Sequence, residues 1–143
     1  MTSPELDRLV KIGQLKREPP SRAEIEGLIR SGEVRLDDAT NDQLSPESRF
    51  DLAYNVAHAL ALAALRSCGY RSHSRYLVFQ TLPHTLGSPP STWRLLAKCH
   101  ERRNLAEYEG VVDVDDRLIE ALIDATFELL EAISAILLSE PPD

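Results

Sequence analysis

The chain has 143 residues, 16 basic against 23 acidic side chains for a formal charge of −7, 43% apolar residues and two cysteines. A chain of this length buries roughly 68–70% of the surface it exposes when unfolded, so a core forms without disulfide staples or a structural metal, and the composition describes one globular domain. The longest uninterrupted apolar run, Ala59 to Leu65, is far short of the roughly 18 residues of a membrane span, and the polar opening Met1-Thr2-Ser3-Pro4-Glu5 has no secretory pattern, so a cytoplasmic protein with no membrane contact is expected.

Leucine (22 residues) outnumbers valine and isoleucine (seven each), and alanine adds 14 more, a balance that points to an all-α fold of five or six helices. Ser3 and Pro4 read as the cap and first residue of a short helix carrying Leu6, Leu9 and Val10, with Gly13 behind it and Pro19-Pro20 ending it. Ser21-x-x-Glu24 has the form of a capping box, in which each side chain satisfies a backbone amide at the other end of the first turn; it opens a run with Ile25, Leu28 and Ile29. Gly32 is expected to interrupt that run, with a separate helical turn over Val34 to Thr40. Ser45-Pro46 starts the longest element, where Phe50, Ala53, Tyr54, Ala57, Ala61, Ala64, Leu65 and Cys68 recur at helical spacing until Gly69. Leu52, Val56, Leu60 and Leu62 cover much of its remaining circumference, which marks it as the central helix. Tyr76 to Leu82 is a shorter helix or turn ahead of Pro83, and Gly87-Ser88-Pro89-Pro90 is a loop. Ser91 is then expected to cap a helix with Trp93, Leu96, Cys99 and Ala106 that runs out at Gly110. Asp113 or Asp115 caps the last helix, apolar along Leu118, Leu122, Ala125, Leu129, Ile133 and Ile136 up to Leu138.

Charge is unevenly distributed. Between Asp51 and Glu101 no acidic residue occurs, and those 49 positions carry Arg66, Arg71, Arg75, Arg94 and Lys98, a local charge of +5, with all four histidines and five of the eight aromatic residues. Residues 113–143 hold nine carboxylates against Arg117, a local charge of −8. Arg94, Lys98 and Arg102 stand at successive i, i+4 positions with Arg103 beside them, so one strip of helix could neutralise several phosphates; a solvated face paired with the acidic last helix gives the same pattern.

At the end of the tryptophan-bearing helix stands Arg102-Arg103-Asn104-Leu105-Ala106-Glu107-Tyr108-Glu109. An Arg-Asn pair there, beside a long alanine-rich helix, resembles the HEPN superfamily (higher eukaryotes and prokaryotes nucleotide-binding) over roughly residues 45–138. Ser21 to Asn41, and the segment from Ser45 to Asn55, resemble one small bacterial subgroup of it. The resemblance implies an up-and-down bundle of four main helices over residues 45–138, an N-terminal helical extension over 1–44 packed on it, and a homodimer; Pro141-Pro142-Asp143 cannot continue the last helix, so 139–143 is expected to be a disordered tail. Many HEPN proteins are metal-independent ribonucleases, often toxins paired with a nucleotidyltransferase antitoxin. Their signature is Arg, four to six arbitrary residues, then His, commonly with Asn after the Arg. Arg103 and Asn104 match its first two positions, but Tyr108 stands where the histidine belongs and no histidine follows. Metal-free RNA cleavage needs a base for the 2′-hydroxyl proton, and a phenol with a pKa near 10 replaces an imidazole with a pKa near 6.5 poorly at neutral pH. The resemblance therefore implies a non-catalytic member. Without it, Arg103 and Asn104 read as groups closing a helix C-terminus.

On the central helix Asp51, Asn55 and His58 form a polar stripe, either one wall of a pocket opposite Arg103 and Asn104 or a buried network fixing helix register. Tyr76, Gln80 and His84 form a second stripe. No two histidines share the spacing of a helical metal site, Cys68 and Cys99 make no Cys-x-x-Cys, and neither metal nor cofactor is expected. Gly27 and Gly32 have phosphate-loop spacing, but Glu33-Val34 follows where Lys and Ser or Thr are required. Three functions remain. The first is a non-catalytic module binding RNA, a nucleotide or a partner protein through Arg94, Lys98, Arg102, Arg103, Asp51, Asn55 and His58. The second is a ribonuclease toxin using Arg103, Asn104 and Tyr108, its missing base supplied by His100 or His58. The third is a dimeric scaffold without a ligand.

Overall fold

The helices begin where short polar side chains can take up the first free backbone amides. The computed structural model describes residues 3–110 and 114–139. Within them the order is α1 (Pro4–Lys11), β1 (Lys16–Arg17), α2 (Arg22–Ala39), α3 (Pro46–Ser67), β2 (Tyr70–Arg71), α4 (Arg75–Gln80), α5 (Leu82–Thr85), α6 (Pro90–Glu109) and α7 (Asp116–Ser139). The hydroxyls of Ser3, Ser21, Ser45 and Ser74 accept from the amides of Leu6, Glu24, Ser48 and Leu77. Asp115 caps α7 by accepting from the Leu118 amide at 2.8 Å; the alternative cap Asp113 lies outside the described residues. α6 departs from the pattern: its cap is Pro89, with no side-chain bond, and Ser91 lies inside the first turn. Gly110, at φ 78°, closes α6 in the left-handed conformation that glycine adopts without strain.

The fold is all-α apart from a two-residue ribbon in which β1 pairs antiparallel with β2. α3 lies at the centre, with α2, α4, α6 and α7 packed around it. Phe50, Tyr54, Leu60 and Leu65 are buried in one core with Leu36 of α2, Phe79 of α4, Leu96 of α6 and Ile119 of α7. Among the described residues no helix is long and apolar enough to cross a membrane.

Several expectations change. α2 runs unbroken through Gly32 and absorbs the turn expected over Val34 to Thr40. A Cβ at Gly32 would sit 3.3 Å from both Leu60 Cδ2 and Val56 Cγ1, so this glycine lets α2 and α3 approach closely rather than breaking the helix. The capping box is half made: Ser21 serves the Glu24 amide, but the Glu24 carboxylate turns to Arg66 and Arg71, stronger partners than a backbone N–H. α1 stops at Lys11, well before the proline pair, and the short element expected over Tyr76 to Leu82 divides into α4 and α5. Ser139 still belongs to α7, its hydroxyl donating to the Ile136 carbonyl; the expected tail beyond it lies outside the described residues.

Candidate functional site

Three helices deliver polar side chains to one corner of the molecule. On α3, Asp51, Tyr54, Asn55 and His58 follow each other at helical spacing; on α6, His100, Arg103 and Asn104 do the same; α4 adds Arg75, Tyr76 and Phe79. Tyr54 is the hub. Its ring is fully buried, stacked near Phe50 and meeting Phe79 edge-on at 5.9 Å, and the guanidinium carbons of Arg75 and Arg103 lie 5.6 and 5.2 Å from its centroid, within cation–π range. The Tyr54 hydroxyl is 2.7 Å from His100 Nδ1, and Asn104 Nδ2 is 3.2 Å from His100 Nε2. With the Asn104 amide nitrogen donating to Nε2, the imidazole proton sits on Nδ1 and is donated to Tyr54 Oη.

The two arginines are held loosely. Arg75 donates from Nη1 to Asn55 Oδ1 at 2.9 Å, and Asn55 in turn donates from Nδ2 to the Asp51 carbonyl. Arg103 meets Glu107 at 3.4 Å and Asp51 at 3.9 Å, both carboxylates well exposed. Ion pairs of that kind add little to stability, so the Arg103 guanidinium keeps most of its capacity for an anion, while Arg75 spends part of its fork on Asn55 and the Tyr54 hydroxyl. His58 packs edge-on against Phe79, and burial, followed by the charges of Arg75, His100 and Arg103, pushes its pKa down to about 4. Burial and then Arg103 and Arg75 lower His100 in the same way, outweighing the opposing pull of Glu101 and Glu107. Both imidazoles are therefore neutral at pH 7. Burial raises the Tyr54 hydroxyl above its ordinary value even against the pull of Arg75.

Asp51, Asn55, His58, His100, Arg103 and Asn104 thus come together, joining the α3 stripe to the Arg-Asn pair. The basic strip does not join them. Lys98 and Arg102 line a separate cavity of about 180 Å³ with Val114, Asp115 and Leu118 at the start of α7, and Arg94 is exposed one turn earlier. Tyr108 is 90% exposed near the end of α6 and lines an apolar groove with Glu101, Asn104 and Leu105, so it borders the His100 network only through Asn104.

Three members of the cluster, Tyr54, Arg75 and Phe79, are not singled out by sequence. Tyr54 reads there as one more core position, and Arg75 as one charge among five. The signal for Tyr54 is its place in the Asp51–Asn55–His58 stripe; Arg75 has none, because its partner Asn55 is 20 residues away on another helix. Among the described residues no group of three or more His, Cys, Asp or Glu could hold a metal ion. Cys99 is buried, which pushes its thiol up to about 12 and leaves it inert as a nucleophile at neutral pH. No family model matches the chain, and neither a curated protein nor a solved structure is significantly similar to it.

Proposed function

We propose that the protein is a non-catalytic, HEPN-like helical module that binds the phosphates of RNA or of a nucleotide at the corner formed by Arg75, Tyr54 and Arg103. The observation that carries this reading is the loose pairing of two arginines over one buried ring, each with donors to spare, beside imidazoles that stay neutral. Arginine forks match phosphate oxygens, and a neutral imidazole brings no competing charge. Arg103-Asn104, the part of the sequence that resembles the HEPN signature, lies inside this corner. The four-helix, up-and-down arrangement and the homodimer belong to the same proposal. The exposed Leu105 and Tyr108 offer the apolar surface such a dimer needs, and a monomer by light scattering at micromolar concentration removes it.

One observation favours the second reading, a toxin-type ribonuclease with a nucleotidyltransferase antitoxin: His100 is neutral and one turn from Arg103. Against it, both ring nitrogens are already engaged, by Tyr54 and Asn104, so the imidazole has no idle acceptor for a 2′-hydroxyl proton. A general base contributes about 10²–10⁴-fold, and its loss takes a slow endonuclease below easy detection. We expect no RNA cleavage by purified protein in the presence of chelator and no growth arrest on expression. Cleavage that disappears in both Arg103→Ala and His100→Ala establishes the ribonuclease instead.

A further inference from the structure

Tyr76 is an aromatic side chain left 40% exposed at the edge of the arginine corner. One side of its ring tilts onto His100, with centroids 6.1 Å apart, and it also walls a cleft of about 420 Å³ lined by Gln14, Ser74, Leu77 and Gln80. That volume lies in the range of small-molecule sites, roughly 300–1,000 Å³. Its walls combine a π face, an apolar side chain, a hydroxyl and two amides that both donate and accept, the set that sandwiches a planar heterocycle and reads its edge. Arg75 precedes Tyr76 in sequence. Consecutive helical residues project about 100° apart, so Arg75 turns toward Tyr54 while Tyr76 opens on the cleft, and a phosphate site and an aromatic platform stand side by side.

We infer that the corner takes its nucleic acid as a single strand, with a phosphate on Arg75 and Arg103 and one unpaired base stacked on Tyr76 in the cleft lined by Gln14 and Gln80. This rests on the phosphate-binding reading above. A duplex keeps both faces of each base inside its own stack and has none to offer Tyr76, whereas every unpaired base has a free π face. The platform therefore discriminates by strandedness and only weakly by sequence.

The test is fluorescence anisotropy with a labelled single-stranded RNA of about eight nucleotides, inside the span that single-strand binders cover. The same strand annealed to its complement, an abasic strand of equal length and a free mononucleotide serve as competitors. Loss of one base–aromatic stack corresponds to a fall in affinity of about five- to 150-fold, so Tyr76→Ala should weaken single-strand binding by at least fivefold while Tyr76→Phe retains it. The abasic strand should bind the wild type about as weakly as the intact strand binds Tyr76→Ala. Mononucleotide competition that is lost in Tyr76→Ala supports the platform and identifies a free nucleotide as a source of the base. If Arg103→Ala weakens binding but Tyr76→Ala does not, or if duplex binds as well as single strand, the stacking inference falls and the phosphate reading stands. If the wild type binds no RNA at ~50 mM salt, both fall.

Discussion

Two pairs of arginines lie against α3, and they are held very differently. Arg66, 2% exposed near the helix's C-terminal end, donates to the Glu24 carboxylate at 2.7 Å and to the carbonyls of Glu18, Pro19 and Tyr70, with the Glu18 carboxylate 3.2 Å away. Arg71 binds the same two carboxylates at 2.6 and 2.5 Å. Twelve residues earlier on α3, roughly 18 Å along the axis, Arg75 and Arg103 rest on Tyr54 with an amide at 2.9 Å and exposed carboxylates at 3.4 and 3.9 Å. The first pair is matched in charge and in hydrogen bonds, so it ties the β1 segment and the start of α2 to the end of α3. The second is matched only in part, Arg103 by two exposed carboxylates at long range and Arg75 by a neutral amide. A fully satisfied cation contributes to the fold, whereas a cation placed with unused donors over an aromatic ring is available to a ligand.

Removing one arginine from each pair should expose that difference. Truncating a buried, hydrogen-bonded ion leaves its partners uncompensated, and Arg66→Met should cost about 3–5 kcal/mol in urea unfolding. Arg103→Met should stay within about 1 kcal/mol of the wild type, since its carboxylate partners return to water. Equal losses from the two variants contradict the division.

The acid response should separate the two regions as well. His58 has a folded pKa of about 4 against an ordinary value near 6.5, so the unfolded chain binds the proton more readily. Its contribution is complete above pH 6.5 and is lost as pH falls toward 4, by up to about 3 kcal/mol, with His100 acting in the same direction. Glu24, lowered by the hydrogen bonds from Arg71 and Arg66, holds its contribution down to its ordinary value of 4.5, through most of this window, and gives it up in stronger acid. Melting temperatures across the window should therefore slope downward toward acid, and His58→Leu should flatten most of that slope. An unchanged slope in the variant places the titration elsewhere.

The sequence reveals these two regions unequally. Composition, the serine caps and the all-round apolar surface of α3 disclose the all-α fold and its central helix, because capping and burial patterns are local. The α3 stripe and the Arg103-Asn104 pair are visible for the same reason. What stays hidden depends on distance in the chain: Glu24 has its carboxylate drawn off by Arg66, 42 residues away, and Arg75 reaches Asn55 on another helix. Gly32 misleads because a glycine that breaks a helix and one that lets two helices touch look alike until the second helix is in place. The strip Arg94, Lys98, Arg102 is the most conspicuous basic pattern in the chain, and only the fold shows that Lys98 and Arg102 line a small cavity with Asp115, apart from the Tyr54 corner.

The proposed anion site lies on the loosely held arginines and not on the basic strip. That placement is tested most directly by the salt dependence of single-stranded RNA binding for the wild type, an Arg75→Ala/Arg103→Ala variant and an Arg94→Ala/Lys98→Ala variant. Each phosphate neutralised on a single strand contributes a slope of about −0.7 in log affinity against log salt. The first variant should lose affinity at ~50 mM salt and flatten the slope by roughly 0.7, the share of the one phosphate held by Arg75 and Arg103, while the second should stay close to the wild type. Retained affinity and slope in the first variant, or their loss in the second alone, would contradict it.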